Sequence, residues 1–236
     1  MKINYIGKCL LIEESGERVL VIGDLHLGYE GAMRRSGVMI PVKLYDKCVS
    51  DFKEVIEFVG KVSKIVVLGD LKHEFGYILD DEWNNISNFI KLLRSFCEEL
   101  IIIEGNHDPI LFPILKKLEV VSGKSHFWRG FIFTHGDKDL DSLYEDKVKC
   151  WVLGHGHPAI VLREGATRES YKCFLTGLYK RKKIILVPSF FPLINGTDAR
   201  EFGLGYPFDF KLEKFDVHVV GDKLEVLKFG KLGTLN

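Results

Sequence analysis

Six of the eight histidines in this 236-residue chain fall in five short polar clusters. These are Asp24-Leu25-His26, Asp70-Leu71-Lys72-His73, Asn106-His107-Asp108, His135 and His155-Gly156-His157. Carboxylates, imidazoles and a carboxamide, with no thiolate among them, suit Mn, Fe or Zn better than they suit a structural zinc site. Each cluster has an ordinary reading when taken alone. A lone histidine at a strand end is usually a surface or hydrogen-bonded residue, Gly-Asp after a strand is turn chemistry, and Asn106-His107-Asp108 reads as a cap for the helix behind it. Together the ordinary readings fail, because so many ionisable groups at one edge are costly without opposite charge. A pair of divalent cations supplies that charge. One carboxylate bridging two ions about 3.5–4 Å apart is the arrangement of a two-metal hydrolase.

The clusters share a position relative to the elements around them. Apolar runs at 18–22, 64–68, 100–103, 131–134 and 150–153 read as buried strands, and each ends at one cluster. Val49, Phe52, Val55, Ile56 and Val59 mark an amphipathic helix over 46–59, and Trp83, Ile86, Phe89, Ile90, Leu93 and Phe96 mark another over 82–97. A third helix is expected to open at Pro109, straight after Asn106-His107-Asp108. A short helix is expected near 141–147, and Arg129-Gly130 suggests a tight turn. Residues 27–41, with three glycines and the pair Arg34-Arg35, read as an active-site loop, and 188–207 as a loop passing over the site. The last third is strand-rich, with runs at 159–163, 171–175, 184–187, 217–220 and 224–229. Strand-helix alternation followed by strands, with no linker, predicts an α/β fold: one domain over 1–236, built as a sandwich of two packed sheets flanked by helices.

Composition excludes little. Lys plus Arg equals Asp plus Glu at 33 each, so no global basic field attracts a polyanion, although a local patch beside metal ions would suffice. Five scattered cysteines, without a Cys-x-x-Cys pair, read as buried thiols of a reducing cytoplasm. The start Met1-Lys2-Ile3-Asn4 has no signal-peptide pattern and no apolar run reaches membrane-spanning length, so a cytoplasmic location without a membrane partner is expected.

In order, Asp24-x-His26, Gly69-Asp70, Gly105-Asn106-His107-Asp108, His135 and Gly154-His155-x-His157 resemble the motifs of the calcineurin-like metallophosphoesterases. The resemblance spans 24–157, more than half of the chain. It implies a four-layer sandwich of two mixed β-sheets flanked by helices, around a dinuclear centre. By that resemblance Asp24, His26 and His157 hold one metal, Asn106, His135 and His155 hold the other, and Asp70 bridges. Two divalent ions are implied, Mn2+ first, with Fe, Zn and Ni as alternatives. His73 narrows the branch. The phosphatases of the family usually carry an acid three residues after the bridging Asp, whereas Gly-Asp-Leu-x-His resembles the SbcD-type repair nucleases. The segment from Asp24 to Pro41 is also similar to the PdeM-like ligase-associated endonucleases, and the whole chain is most similar to short archaeal SbcD-related phosphoesterases. The full repair nucleases continue into a capping domain and an ATPase-binding tail, so duplex-end processing and an ATPase partner do not carry over.

The expected reaction is phosphoester hydrolysis, in which two cations lower the pKa of a bound water and neutralise the phosphoryl oxygens. His107 is the candidate general acid for the leaving alkoxide, with His73 orienting it or touching substrate. Arg34 and Arg35 read either as phosphate contacts or as a solvated pair at a helix start. The run Tyr179-Lys180-Arg181-Lys182-Lys183 reads either as a track for a polynucleotide backbone or, slightly favoured, as a charged hairpin turn. Phe190 and Phe191 read as core or lid rather than as a base-stacking platform, and His126 and His218 as structural. The expected substrate is nucleic acid. The alternatives are a small nucleotide, or a non-catalytic scaffold.

Overall fold

The computed structural model describes residues 1–40, 43–74, 80–165 and 167–235. Among them, the strands form two mixed sheets. The first holds β1 (Lys2–Ile6), β2 (Cys9–Glu14), β3 (Glu17–Ile22), β4 (Val62–Val67), β5 (Cys97–Ile103) and β6 (Val121–Gly123), paired in that order. β1 to β3 are antiparallel, and β3 to β6 run parallel. The second sheet holds β7 (Ser125–Trp128), β8 (Phe131–Thr134), β9 (Cys150–Leu153), β10 (Pro158–Glu164), β11 (Thr167–Tyr179), β12 (Lys182–Leu186), β13 (Thr197–Asp198), β14 (Asp216–Val220) and β15 (Val226–Lys231). Its centre, β8-β9-β12, is again parallel.

Parallel strands are covered on both faces, so both parities of each strand are apolar and the chain reads as a continuous run. The structure separates the parities. Val19, Val21, Val66, Ile101 and Ile103 point inward against Phe131, Phe133, Val152 and Ile185 of the other sheet. Leu20, Ile22, Ile65, Val67 and Ile102 point outward, under helices α2 (Leu44–Val59) and α3 (Asp80–Arg94), which follow the short helix α1 (Tyr29–Arg35), and under α4 (Phe112–Lys117). Phe52 and Val55 of α2 and Ile86, Phe89 and Leu93 of α3 fill that layer. The outer face of the second sheet (Ile132, Trp151, Leu153, Ile184) is covered by a 3-10 turn at Asp141–Tyr144 and by Leu204, Phe208 and Phe215. Among the described residues no helix is long and apolar enough to cross a membrane.

Four expectations change. Residues 29–35 form α1 rather than loop, because Gly28 (φ 95°) and Gly37 (φ 84°) bracket the helix in left-handed conformations and only Gly31 lies inside it. Pro41 lies outside the described residues. Arg34 and Arg35 therefore stand in the last turn of α1, not at a helix start. The helix expected to run to Cys97 ends at Arg94, and Cys97 already opens β5. The helix expected at Pro109 opens at Phe112: Leu111 donates its N–H to the Asp108 carbonyl in an intervening turn, and Pro113 stands in the first helical turn.

The basic run forms the β11–β12 hairpin, with Lys180 (φ 47°) and Arg181 (φ 65°) both left-handed at its turn. Phe190 and Phe191 are buried, which removes them as a stacking platform.

Candidate metal centre

All five clusters meet at one edge. β3, β4 and β5 of the first sheet and β8 and β9 of the second end there, as open parallel sheets present ligand sites at their carboxyl ends. The backbone at the strand ends is unusual. Asp24 (44°), His26 (45°), Asp70 (46°), His155 (66°) and His157 (42°) all have left-handed φ. Each such conformation costs on the order of 1–3 kcal/mol and persists only where its surroundings enforce it. Here the enforcing groups are visible. Leu25 and His26 each donate an N–H to the Asp70 carbonyl at 2.9 Å, and His155 donates to both Asp24 carboxylate oxygens at 3.0 and 3.2 Å. Gly105 must lack a side chain, because a Cβ there would stand 2.2 Å from Oδ1 of Asp70.

The donor atoms gather into two groups that share one residue. Asp24, His26, Asp70 and His157 form the first; Asp70, His135 and His155 form the second. Asn106 joins the second through Oδ1, 2.9 Å from Nε2 of His135. His135 donates Nδ1–H to the Leu68 carbonyl at 2.8 Å, which turns Nε2 toward Asn106 and toward Nδ1 of His155 at 3.1 Å. In the first group Nε2 of His26 and Nε2 of His157 approach to 3.3 Å, and Nε2 of His157 lies 3.3 Å from Oδ1 of Asp24. A third group, His26, His73 and His107, adjoins the first.

The electrostatics have one physical origin, the burial of opposite charges together. Burial raises the Asp24 carboxyl, but His157, His135 and His26 outweigh it and hold Asp24 below the ordinary carboxylate range. Asp70 is pushed up to about 7 by burial, opposed by His135 and reinforced by Asp24. Burial lowers His26, His73, His107 and His155, whereas at His135 the two aspartates overcome it and raise the ring.

Ring nitrogens converging within 3.1–3.3 Å of one another, beside two buried carboxylates, are what a cation would separate. The buried Nδ1 of His26 also has no hydrogen-bond partner among the described residues. Oxygen and imidazole donors in two groups joined by one carboxylate fit a pair of divalent ions.

His107 and His73 lie beside this cluster. His107 donates its backbone N–H to Oδ1 of Asp70 at 3.0 Å, and its Nδ1 meets the His73 carbonyl at 2.6 Å. Asp108, which reads from sequence as part of a helix cap, holds two loops together. Its carboxylate accepts the N–H groups of Gly105 (3.0 Å), Lys72 (3.2 Å) and Leu71 (3.4 Å).

Arg35 lies 3.5 Å from Glu74, and Arg34 lines a polar cavity of about 170 Å3 with Glu82 and Asn85. Neither arginine is in the donor groups. His126 and His218 stand away from the centre, His218 stacked on Tyr5 at 4.4 Å.

Three supporting residues escaped the sequence reading. Tyr206 donates its hydroxyl to the Gly154 carbonyl at 2.5 Å and accepts the Gly156 N–H at 3.3 Å, clamping the turn that carries His155 and His157. Ser189 donates its hydroxyl to the Asp24 carbonyl at 2.8 Å. Glu82 accepts the N–H groups of His73 and Glu74 at 3.2 and 3.3 Å. The sequence reads 188–207 as a loop passing over the site, but no spacing marks Ser189 or Tyr206 within it.

The family described as calcineurin-like phosphoesterase matches residues 17–221. No curated protein matches the chain. Among solved structures, it resembles the nuclease MPE of Pseudomonas putida, at 15% identity and a TM-score of 0.60, over 94% of this chain and 100% of that one. That likeness is one of fold. Weaker matches are a Vps29 single mutant from Entamoeba histolytica (14% identity, TM-score 0.42, 90% of this chain and 99% of that one) and the phosphoesterase Yfce of E. coli (14%, 0.42, 92% and 94%).

Proposed function

The chain belongs to the calcineurin-like phosphoesterase family, and from that premise we propose that it hydrolyses phosphodiester bonds in nucleic acid at a dinuclear centre. The observation that carries this reading is the sharing of Asp70 between two donor groups, with His107 hydrogen-bonded to that same carboxylate. Asp24, His26 and His157 would hold one divalent ion and Asn106, His135 and His155 the other, with Asp70 between them. Bound there, the pair supplies an acidified water and neutralises the phosphoryl oxygens of an in-line displacement. We assign Mn2+ as the first ion to test, and read 1–236 as one catalytic domain, supported by the family match over 17–221.

The chain's own residues do the rest. Asp24 and Asp70, buried and held by the His155 and His107 N–H groups, keep the donors fixed before substrate arrives. The His73 carbonyl engages Nδ1 of His107, so Nε2 is the ring atom directed to the centre, 3.8 Å from Oδ2 of Asp70. A proton on Nε2 is then placed for the departing alkoxide. His73, whose ring lies 5.8 Å from that of His107, positions it through the backbone and borders the space a substrate would enter. Arg34 and Arg35, in the last turn of α1, are kept as candidate phosphate contacts.

Nucleic acid is favoured by His73, which stands where the phosphatase branch carries an acid. A small nucleotide is favoured by the balance of 33 basic and 33 acidic residues, which provides no extended field for a polyanion. The test is metal analysis with turnover of a chromogenic phosphodiester under Mn2+, followed by single-stranded DNA, duplex DNA, RNA, cyclic nucleotides and phosphomonoesters. Hydrolysis of polynucleotides above mononucleotides supports the first reading, and the reverse order supports the second. Absence of both metal uptake and turnover overturns the enzyme reading and leaves a scaffold.

A further inference from the structure

On the far side of residues 189–191 from the metal centre lies a separate cavity of about 280 Å3, bounded by the Gly7-Lys8 turn, α2 and the start of β11. We propose that this cavity is a second ligand site, for a small organic phosphate dianion, with its lysines on the phosphate and an apolar wall for the organic part.

Among the described residues, four lysines (Lys8, Lys47, Lys172 and Lys223) and two acids (Asp51 and Glu54) line the cavity. Asp51 is shared: Lys8 reaches one of its oxygens at 2.6 Å and Lys47 the other at 2.7 Å. Lys172 is 7% exposed, and its ammonium donates to the Ser189 carbonyl at 2.9 Å and the Ile194 carbonyl at 2.7 Å. Lys8 also donates to the Phe190 carbonyl at 3.0 Å. An ammonium has three N–H groups, so Lys172 keeps one in reserve among the described residues, while the Lys8 ammonium also lies 4.4 Å from the centre of the Phe190 ring.

A plainer account is that both lysines only fasten the 189–194 segment through its carbonyls. That account explains the bonds. It does not explain two lysines, the part-buried Lys8 and the buried Lys172, beside an open volume where the acid that Lys8 holds, Asp51, is already shared with Lys47. Burial first, and Lys8 second, lowers Lys172 to about 7. Burying a second cation beside the first is costly unless a counter-charge is available, and a dianion provides one. Pro192, Val220 and Leu224 supply apolar surface on the same cavity.

The site is distinct from the metal centre, since no residue of the donor groups lines it. It is nevertheless joined to that centre by a single segment. Phe190 donates its N–H to the Gly23 carbonyl at 2.8 Å and Phe191 to the Asp24 carbonyl at 3.2 Å, while the carbonyls of Ser189 and Phe190 face the lysines.

The test is calorimetric titration of the metal-loaded protein with inorganic phosphate and with phenylphosphonate, which has no ester bond to cleave. Two sets of sites are expected, one at the metals and one here, with phenylphosphonate tighter than phosphate at the second. Lys47→Ala should weaken the second set at least tenfold, leaving the first set and the metal content per chain unchanged, and Lys172→Met should weaken the second set likewise. Lys172 is buried, so if its variant melts early the decision falls to Lys47, whose side chain is 55% exposed. A single set in the parent protein, or a second set that survives in Lys47→Ala, overturns the proposal. Neither result depends on turnover, so the proposed phosphodiesterase reaction stands or falls separately.

Discussion

The ring of His107 meets the backbone carbonyl of His73 across 2.6 Å, and that contact decides which nitrogen of His107 faces the metal centre. A carbonyl only accepts, so Nδ1 is the protonated atom and Nε2 is left to exchange a proton with substrate. His73 thereby acts through a group that every residue type possesses.

His107→Ala should keep its metal and its fold while losing about 10²–10⁴ in turnover on substrates with an alkoxide leaving group, the usual range for a general acid. Loss on p-nitrophenyl esters should be far smaller, because nitrophenolate leaves without a proton. Comparing kcat for the two leaving groups reads this directly, and equal losses on both would remove His107 from proton transfer. Because burial lowers His107 below its ordinary value, its protonated fraction falls as pH rises through that lowered pKa. Alkyl-ester turnover should therefore fall on the alkaline side, and His107→Ala should flatten that limb.

Cation affinity should depend on pH in a defined direction. In the metal-free protein Asp70 is raised to about 7, so below that pH it is mostly protonated and a cation must displace the proton. Affinity should rise with pH and level off above about 7, changing roughly tenfold per unit below it if a single proton is released. Calorimetry in buffers of different ionisation heat counts the protons. The same shift makes metal-free protein less stable as pH climbs from the unfolded carboxyl value of about 4 to 7, because a raised carboxyl favours the protonated folded state. Asp70→Asn should remove this contribution.

Gly105→Ala should cost both metal and stability. The added Cβ would meet Oδ1 of Asp70 at 2.2 Å and its backbone N at 2.3 Å, so the shared carboxylate and the strand end that carries it must shift. Fewer than two ions per chain are expected by elemental analysis, with a lower melting temperature than the parent's. Full metal content would show that Asp70 does not bridge.

Tyr206→Phe removes one hydroxyl and no volume that matters to packing. It removes the hydroxyl's bonds to the Gly154 carbonyl and the Gly156 N–H, which keep only their own 2.8 Å bond to each other, a loss of about 0.5–1.5 kcal/mol. The turn carrying His155 and His157 should loosen, weakening metal affinity about 10–100-fold, the usual effect of removing a group that supports a ligand. Thermal melting and metal titration measure the two effects. If stability falls while metal affinity holds, the clamp is structural only.

The positions of Asp24, Asp70, Asn106, His135 and His155 could be read along the chain for a physical reason. A parallel strand covered on both faces is an uninterrupted apolar run, so the first polar residues after it announce its carboxyl end, and five runs ended that way. The same continuity hides the layers. Val19 and Leu20, or Val152 and Trp151, are equally apolar, and nothing local tells which faces the other sheet and which faces outward. Glycine also misled the reading: Gly28, Gly31 and Gly37 suggested a loop, although two of them serve as left-handed ends of α1.

Supporting contacts were invisible for another reason. Tyr206 and Ser189 reach the centre across long stretches of chain, and Glu82 reaches back to His73 and Glu74, through hydrogen bonds that any loop of suitable course could make, and a spacing rule carries no trace of such a course. Local sequence, then, dictates which atoms are offered: oxygen and imidazole donors at the ends of buried strands, with glycines where backbone must pass close. Which donors share an ion, and that Asp70 stands in both groups, follows only when strands from two sheets end at one edge. Hydrophobic packing of the sheet faces brings that about over distances no motif spans, and it turns Asp24 and His157, far apart in sequence, into neighbours at 3.3 Å.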